Sequence, residues 1–244
     1  MATQLRNLSA CVSYFSIETR SQPVTQVSGP VLLLPLGEGR GEGYQAMQVI
    51  ATLGHALGFS LAAGVNLYAT VAILGLASRF GWVDLPPSFT VFDSNVVIAG
   101  ALALYVIEFV ADKIPWVDSA WDAVHTLIRP VGGAFIAVAA LGGEATPMTE
   151  GLMALLGGTV AAGAHLTKAG TRAVVNTSPE PVSNWTLSLA EDVFVIGLGI
   201  LTLSYPVAAF GVAGVLIVLI LCFLGVISRA AWRRFSPGRS QPAT

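Results

Sequence analysis

The sequence predicts an all-α membrane protein of about six transmembrane helices, arranged as two inverted three-helix repeats. The first observation behind this is composition: 54% of the 244 residues are hydrophobic, 11% are charged, and the mean hydropathy is +0.73. A soluble domain carries about 25% charged residues, so this surface could not be kept in water. The second is length, because residues 47–234 have room for about six apolar segments of roughly 20 residues with short loops. The third is an internal repeat at a constant offset of 99 residues. A β-barrel is the other membrane architecture, but it needs many strands of about ten residues alternating apolar and polar. The apolar stretches here are continuous and much longer.

Composition also excludes partners and chemistries. Twelve Lys and Arg against 14 Asp and Glu give a formal net charge of −2, which leaves no basic face for nucleic acid. Cys11 lies in a polar leader and Cys222 in an apolar run, so neither a disulfide between them nor redox chemistry is expected.

Taken in order, residues 1–46 mix Gln, Ser, Thr, Arg and Gly and end in a run of alternating glycines from Gly37 to Gly43. The order of a secretory signal is missing, and the segment reads as a disordered leader that cannot pack as helix or strand. Met47 stands immediately before the first long apolar segment and is a candidate start of the true protein. Residues 47–234 form the membrane domain, with repeat one at about 47–143, repeat two at about 146–234, and a flexible cytoplasmic tail over 235–244.

From Val49 to Ser78 there are 30 residues without Asp, Glu, Lys or Arg. As one helix these would span about 45 Å, longer than a hydrocarbon core of roughly 30 Å, so the segment must tilt, kink or break at Gly54, Gly58, Gly64 or Asn66. Asp93 is a candidate cap for a second helix over about Ser94 to Ala111. After Pro115, the Ser-x-x-Asp pattern of Ser119 and Asp122 reads as a capping box opening a third helix that ends near Gly142 and Gly143. Thr146 and Pro147 read as cap and first turn of a fourth helix, which runs to about Arg172. Ser188 and Glu191 form a second capping box before a fifth helix, which stops between Ser204 and Gly211. A sixth ends at Arg229, Arg233 and Arg234.

The repeat aligns Leu57 to Leu67 with Leu156 to Leu166, placing Asn66 opposite His165. The same offset pairs Asp93 with Asp192, Gly100 with Gly199, Leu102 with Leu201 and Leu104 with Leu203. Small residues recur in membrane helices because they permit close packing, so the shared offset counts for more than any one match. Three helices separate the two starts, and an odd number makes the second copy enter from the opposite side, the plan of many secondary transporters. The arginines near the C-terminus place it in the cytoplasm, and six spans place the N-terminus there too. This gives a multi-pass protein of the bacterial inner (plasma) membrane, with nearly all charge on its cytoplasmic side.

Asp122, His125 and Arg129 share one helix face, as do His165, Lys168 and Arg172, and Glu108 and Asp112 lie four apart at a helix end. Such stripes point inward or to a water cavity, since lipid exposure costs several kcal/mol. Snorkelling interfacial residues are the structural alternative for Glu108 and Asp112. Helix caps are the alternative for Asp118, Asp122, Glu191 and Asp192, and an interhelical hydrogen bond for Asn66 and His165. The expected arrangement is one buried network of Glu108, Asp112, Arg129 and Arg172, with Arg172 able to pair Glu108 and with Asn66 and His165 deeper in the same cavity. His55, His125 and His165 are scattered without ligand spacing, so no metal and no cofactor are expected. Hydrolase, zinc-protease, phosphate-loop and lipid-phosphatase patterns are missing, which argues against an enzyme.

The residues Glu108-Phe-Val-Ala-Asp-Lys-Ile-Pro115, Val117-Asp118, Trp121-Asp122, Arg129-Pro130-x-Gly132 and His165-x-x-Lys168-x-x-x-Arg172 resemble the bacterial membrane family known as domain of unknown function 4126. The resemblance spans about Val49 to Arg234. It implies a multi-pass membrane domain beginning near the glycine-rich first helix, and brings no activity with it. The reading is therefore an inner-membrane transporter or channel for a small polar or anionic solute. Its candidate pathway is Asn66, Glu108, Asp112, Asp122, His125, Arg129, His165, Lys168 and Arg172. The alternative is a non-catalytic scaffold or assembly subunit that binds a partner through its charged cytoplasmic rim; a lipid-acting enzyme ranks third. The expected partners are the bilayer, a small polar solute, and a second copy or a membrane partner protein.

Overall fold

The uncharged run from Val49 to Ser78 does break, and it breaks at Asn66. In the computed structural model, which describes residues 38–143, 145–177 and 181–235, α1 spans Glu38–Val65 and α2 spans Leu67–Phe80. Asn66 adopts extended backbone (φ −147°, ψ 100°), and its Oδ1 accepts from the Ala69 amide at 2.9 Å, capping α2. Asparagine suits the place because its short side chain replaces the lost helical acceptor. The interruption frees carbonyls at the end of α1, among them those of Gly64 and Val65.

A 3-10 turn over Pro87–Phe92 leads to α3 (Asn95–Ala111), and α4 (Pro115–Ala139), α5 (Pro147–Val175), α6 (Pro181–Ser204) and α7 (Pro206–Phe235) follow. There is no strand among the described residues. The cap of α3 is Ser94 rather than Asp93, whose carboxylate instead takes a hydrogen bond from Arg79 Nε at 2.7 Å. Thr146 caps α5 as expected, with Oγ1 accepting from the Thr149 amide at 3.3 Å. Neither capping box opens a helix: α4 starts at Pro115 and α6 at Pro181, so Ser119, Asp122, Ser188 and Glu191 all lie inside helices. Proline supplied the stronger start, because its missing N–H belongs to the first turn in any case. The fifth expected helix ends at Ser204, where Pro206 begins the next.

The glycine-rich stretch is corrected in part. Residues 38–46, expected within a non-helical leader, extend α1 outward, since adding turns to a formed helix needs no new nucleus. The rest of the leader, and the tail beyond Phe235, lie outside the described residues.

An apolar core that includes Phe59, Leu74 and Phe89 shares the interior with a set of ionisable groups, and apolar side chains also cover much of the outside. Glu108, Asp118, His125, Arg129, His165 and Arg172 are buried, while Val106, Leu127, Leu155, Ile200, Val218 and Leu221 face outward. Among the described residues, three helices are long and apolar enough to cross a membrane, over Glu42–Val65, Val182–Ser204 and Pro206–Ala230. α2 and α3 are apolar but shorter.

Small residues bring the backbones of α1, α4 and α5 together. α4 and α5 form the most extensive helix pair, where Gly133 lies against Ala161, Gly157 lies against Ala137, and Ser60 Oγ donates to the Gly133 carbonyl at 3.1 Å. A Cβ at Gly64 would come within 2.4 Å of the Ala161 carbonyl oxygen, and one at Gly54 within 1.9 Å of that of Pro206. Backbone cannot swing aside as a side chain does. Gly54→Ala and Gly64→Ala are therefore expected to lose about 1–3 kcal/mol each in a detergent unfolding titration. Gly100→Ala, which opens onto free space inside α3, is the control and should be at least as stable as the parent.

Candidate functional site

The polar stripes of α3, α4 and α5 converge, joined by a fourth from α6. Glu108 is the central acid: its Oε1 accepts from Arg129 Nη2 at 2.6 Å and from Lys168 Nζ at 3.3 Å. Lys168 also reaches Asp112 Oδ2 at 3.3 Å and Glu191 Oε2 at 3.5 Å. Arg172 closes the far side. Its Nη2 donates to Asp112 Oδ2 at 3.0 Å, and its Nε and Nη2 together grip the two oxygens of Glu191. Its Nη1 donates to the Asp112 carbonyl at 2.8 Å and to Asn184 Oδ1 at 3.3 Å, and lies 3.4 Å from Asp118. Such planar, forked pairing is what guanidinium groups provide and ammonium groups do not.

The break in α1 feeds directly into this network. Gly64 O accepts from Arg129 Nη1 at 3.3 Å, and Val65 O accepts from Lys168 Nζ at 3.3 Å. The negative end of one helix is thus capped by two cations from two others, which favours both.

Hydrogen bonding fixes the two histidine tautomers. Arg129 can only donate, so His165 Nδ1, 2.7 Å from Nη1, is an acceptor. His165 Nε2 then carries the hydrogen and gives it to Thr126 Oγ1 at 3.1 Å, while the Thr126 hydroxyl donates to the Asp122 carbonyl. His125 is the reverse, with Nδ1–H directed at the Trp121 carbonyl (2.7 Å) and Nε2 accepting from the Tyr68 hydroxyl (2.9 Å).

All nine residues singled out from the sequence are buried, and seven join directly. Glu108, Asp112, Arg129, His165, Lys168 and Arg172 form the core, and Asp122 touches it at 3.5 Å from Arg129. His125 lies on the same face of α4, one turn from Asp122 and from Arg129, and accepts from Tyr68. Asn66 caps α2, and since both ring nitrogens of His165 are engaged elsewhere, none is left for the expected Asn66–His165 pair. The wiring also differs at Arg172, which pairs with Asp112 and Glu191, whereas Glu108 belongs to Arg129 and Lys168. Glu191, Asn184, Tyr68 and Thr126 were missed. Asn184, Ser188 and Glu191 follow the 4-and-3 spacing of a helix face, a signal present in the sequence but hidden by the capping-box reading.

Six buried or nearly buried carboxyl groups (Glu108, Asp112, Asp118, Asp122, Glu191, Asp192) face four cations (Lys113, Arg129, Lys168, Arg172). Glu108 Oε2, Asp112 Oδ1 and Asp192 Oδ2 have no hydrogen-bond partner. Among the described residues, no group of three or more His, Cys, Asp or Glu is placed to hold a metal ion. Beside the network, α1, α5, α6 and α7 enclose an open cavity of about 530 Å³. Its walls are apolar, and Lys168 and Glu191 form its polar end.

No curated protein and no solved structure matches the chain. The family model described as Domain of unknown function (DUF4126) matches residues 53–225, most of the described helices and every residue of the network, and the chain belongs to that family.

Proposed function

We propose that this protein is a bacterial inner-membrane transporter or channel for a small polar solute, working through the α1–α2 break and the charge network around it. The observation behind the reading is the break itself. Unwound backbone at membrane depth is tolerated where it is buried in protein or lines a cavity, and helix ends of this kind are where transporters hold polar cargo. Here the freed carbonyls face Arg129 and Lys168. The surplus of carboxyl groups weighs toward a neutral or cationic solute over an anionic one.

The accompanying architecture is six crossings in two inverted halves, with α1 and α2 together, α3 and α4 in one half and α5, α6 and α7 in the other. Support comes from the offset of 99 residues, which aligns α1 and α2 with α5, and residues 95–105 of α3 with residues 194–204 at the end of α6. In this topology both termini are cytoplasmic. Reporters fused after Phe235 and within 176–184 should read cytoplasmic, and one near Pro86 should read external; a periplasmic C-terminus would overturn the six-span count.

Flux is tested in proteoliposomes by light-scattering swelling under gradients of glycerol, urea, choline chloride and sodium glutamate. Swelling above protein-free vesicles is expected for at least one neutral or cationic solute, and should be lost in Lys168→Met. Vesicles that behave as protein-free with every solute, around a protein that is stably folded, would replace transport by the scaffold reading.

A further inference from the structure

The cavity beside the network has a chemistry of its own. Its walls come from Leu61 on α1, Phe194 on α6, and Leu216, Ile220 and Phe223 on α7. Its polar groups are Thr167, Lys168 and Thr171 on α5 and Glu191 on α6. At about 530 Å³ it lies within the 300–1,000 Å³ range of small-molecule sites. We propose that this cavity binds a lipophilic cation, a molecule with an apolar body and an ammonium or similarly positive head.

The polar end presents acceptors and no free donor. Each hydroxyl has one hydrogen, and Thr167 Oγ1 gives its own to the Gly163 carbonyl at 2.9 Å while Thr171 Oγ1 gives its own to the Thr167 carbonyl at 2.9 Å. Their lone pairs remain. The Lys168 ammonium has three hydrogens, and four acceptors surround it within 3.5 Å: Val65 O, Glu108, Asp112 and Glu191. It has nothing left to offer an anion. Glu191 is the most exposed carboxylate of the network, with 12% of its side chain accessible, and it sits at the cavity end.

Charge and aromatic surface point the same way. The neighbouring groups hold two more carboxyls than cations, so a positive head relieves an imbalance that a negative head would deepen. Phe194 and Phe223 line the cavity, and aromatic rings attract cations, more strongly away from water. The outer wall is α7, whose membrane-length segment is almost entirely outward-facing, so an apolar molecule reaches the cavity through the lipid. Binding at equilibrium requires no passage across the membrane, so this inference does not rest on the transport reading.

The test uses the full chain in phosphatidylcholine nanodiscs with radiolabelled tetraphenylphosphonium as the probe. Saturable binding of about one probe per chain is expected, displaced by decyltrimethylammonium and not by decanoate at the same concentration. Glu191→Gln should weaken binding at least tenfold by removing the accessible charge. Ala190→Trp lines the same cavity, faces outward and touches no ion pair. It should abolish binding while leaving the melting temperature of the parent. The proposal is overturned if the probe shows no saturable site, if decanoate competes as well as the cation, or if Ala190→Trp binds like the parent.

Discussion

Arg129→Met is expected to lower the unfolding free energy by about 3–5 kcal/mol, the usual cost of stranding a buried charge. Arg129 has no solvent exposure, and it holds four groups at once: Glu108, His165, the Gly64 carbonyl and Asp122. Methionine fills most of the volume and offers no donor. Glu108 would then depend on Lys168 alone, at 3.3 Å, and the broken end of α1 would lose one of its two cations. Adding Glu108→Gln should recover more than half of the loss, because Lys168 keeps Asp112 and Glu191 when Glu108 is neutral. The measurement is chemical unfolding in detergent of the parent, both single variants and the double. A single-variant effect within about 0.5 kcal/mol, the size of a surface change, would mean that these groups reach water and snorkel.

Much of this arrangement could be read from residue spacing, and what could not has a physical reason. Helical periodicity put Asp122, His125 and Arg129 on one face and His165, Lys168 and Arg172 on another, and both faces do turn inward. The length of the uncharged first segment required a tilt, kink or break, and Asn66 was among the positions named for it. Spacing along one helix, however, says nothing of the height at which a neighbour stands. Arg172 was therefore free to be matched with Glu108, whereas packing sets it opposite Asp112 and Glu191. Two helix starts were misplaced because Ser-x-x-Asp and Ser-x-x-Glu also occur inside helices, where Asp122 and Glu191 serve the network instead. The role of the α1 carbonyls was invisible for another reason: backbone groups acquire chemistry only where a helix breaks, and no residue type marks Gly64 or Val65 as acceptors.

Arg172 is expected to show that shape matters as much as charge. Its guanidinium donates to both oxygens of Glu191, to the carboxylate and carbonyl of Asp112, and to Asn184, a set spread over α6 and the end of α3. An ammonium is a point charge with three hydrogens and cannot span that set. Arg172→Lys should therefore lose about 2–3 kcal/mol despite conserving charge, and Arg172→Gln about 3–5 kcal/mol. Second-site changes then distinguish the wiring. Asp112→Asn should rescue part of the Arg172→Gln loss, since it removes one of the two carboxylates then left to Lys168, whereas Glu108→Gln should add its own loss, because Glu108 still holds Arg129 and Lys168. Arg233→Gln, on the exposed end of α7, is the control and should stay within about 0.5 kcal/mol of the parent. Equal stability of Arg172→Lys and the parent would show that only a positive charge is needed there. Rescue by Glu108→Gln rather than Asp112→Asn would show that Arg172 pairs with the other acid.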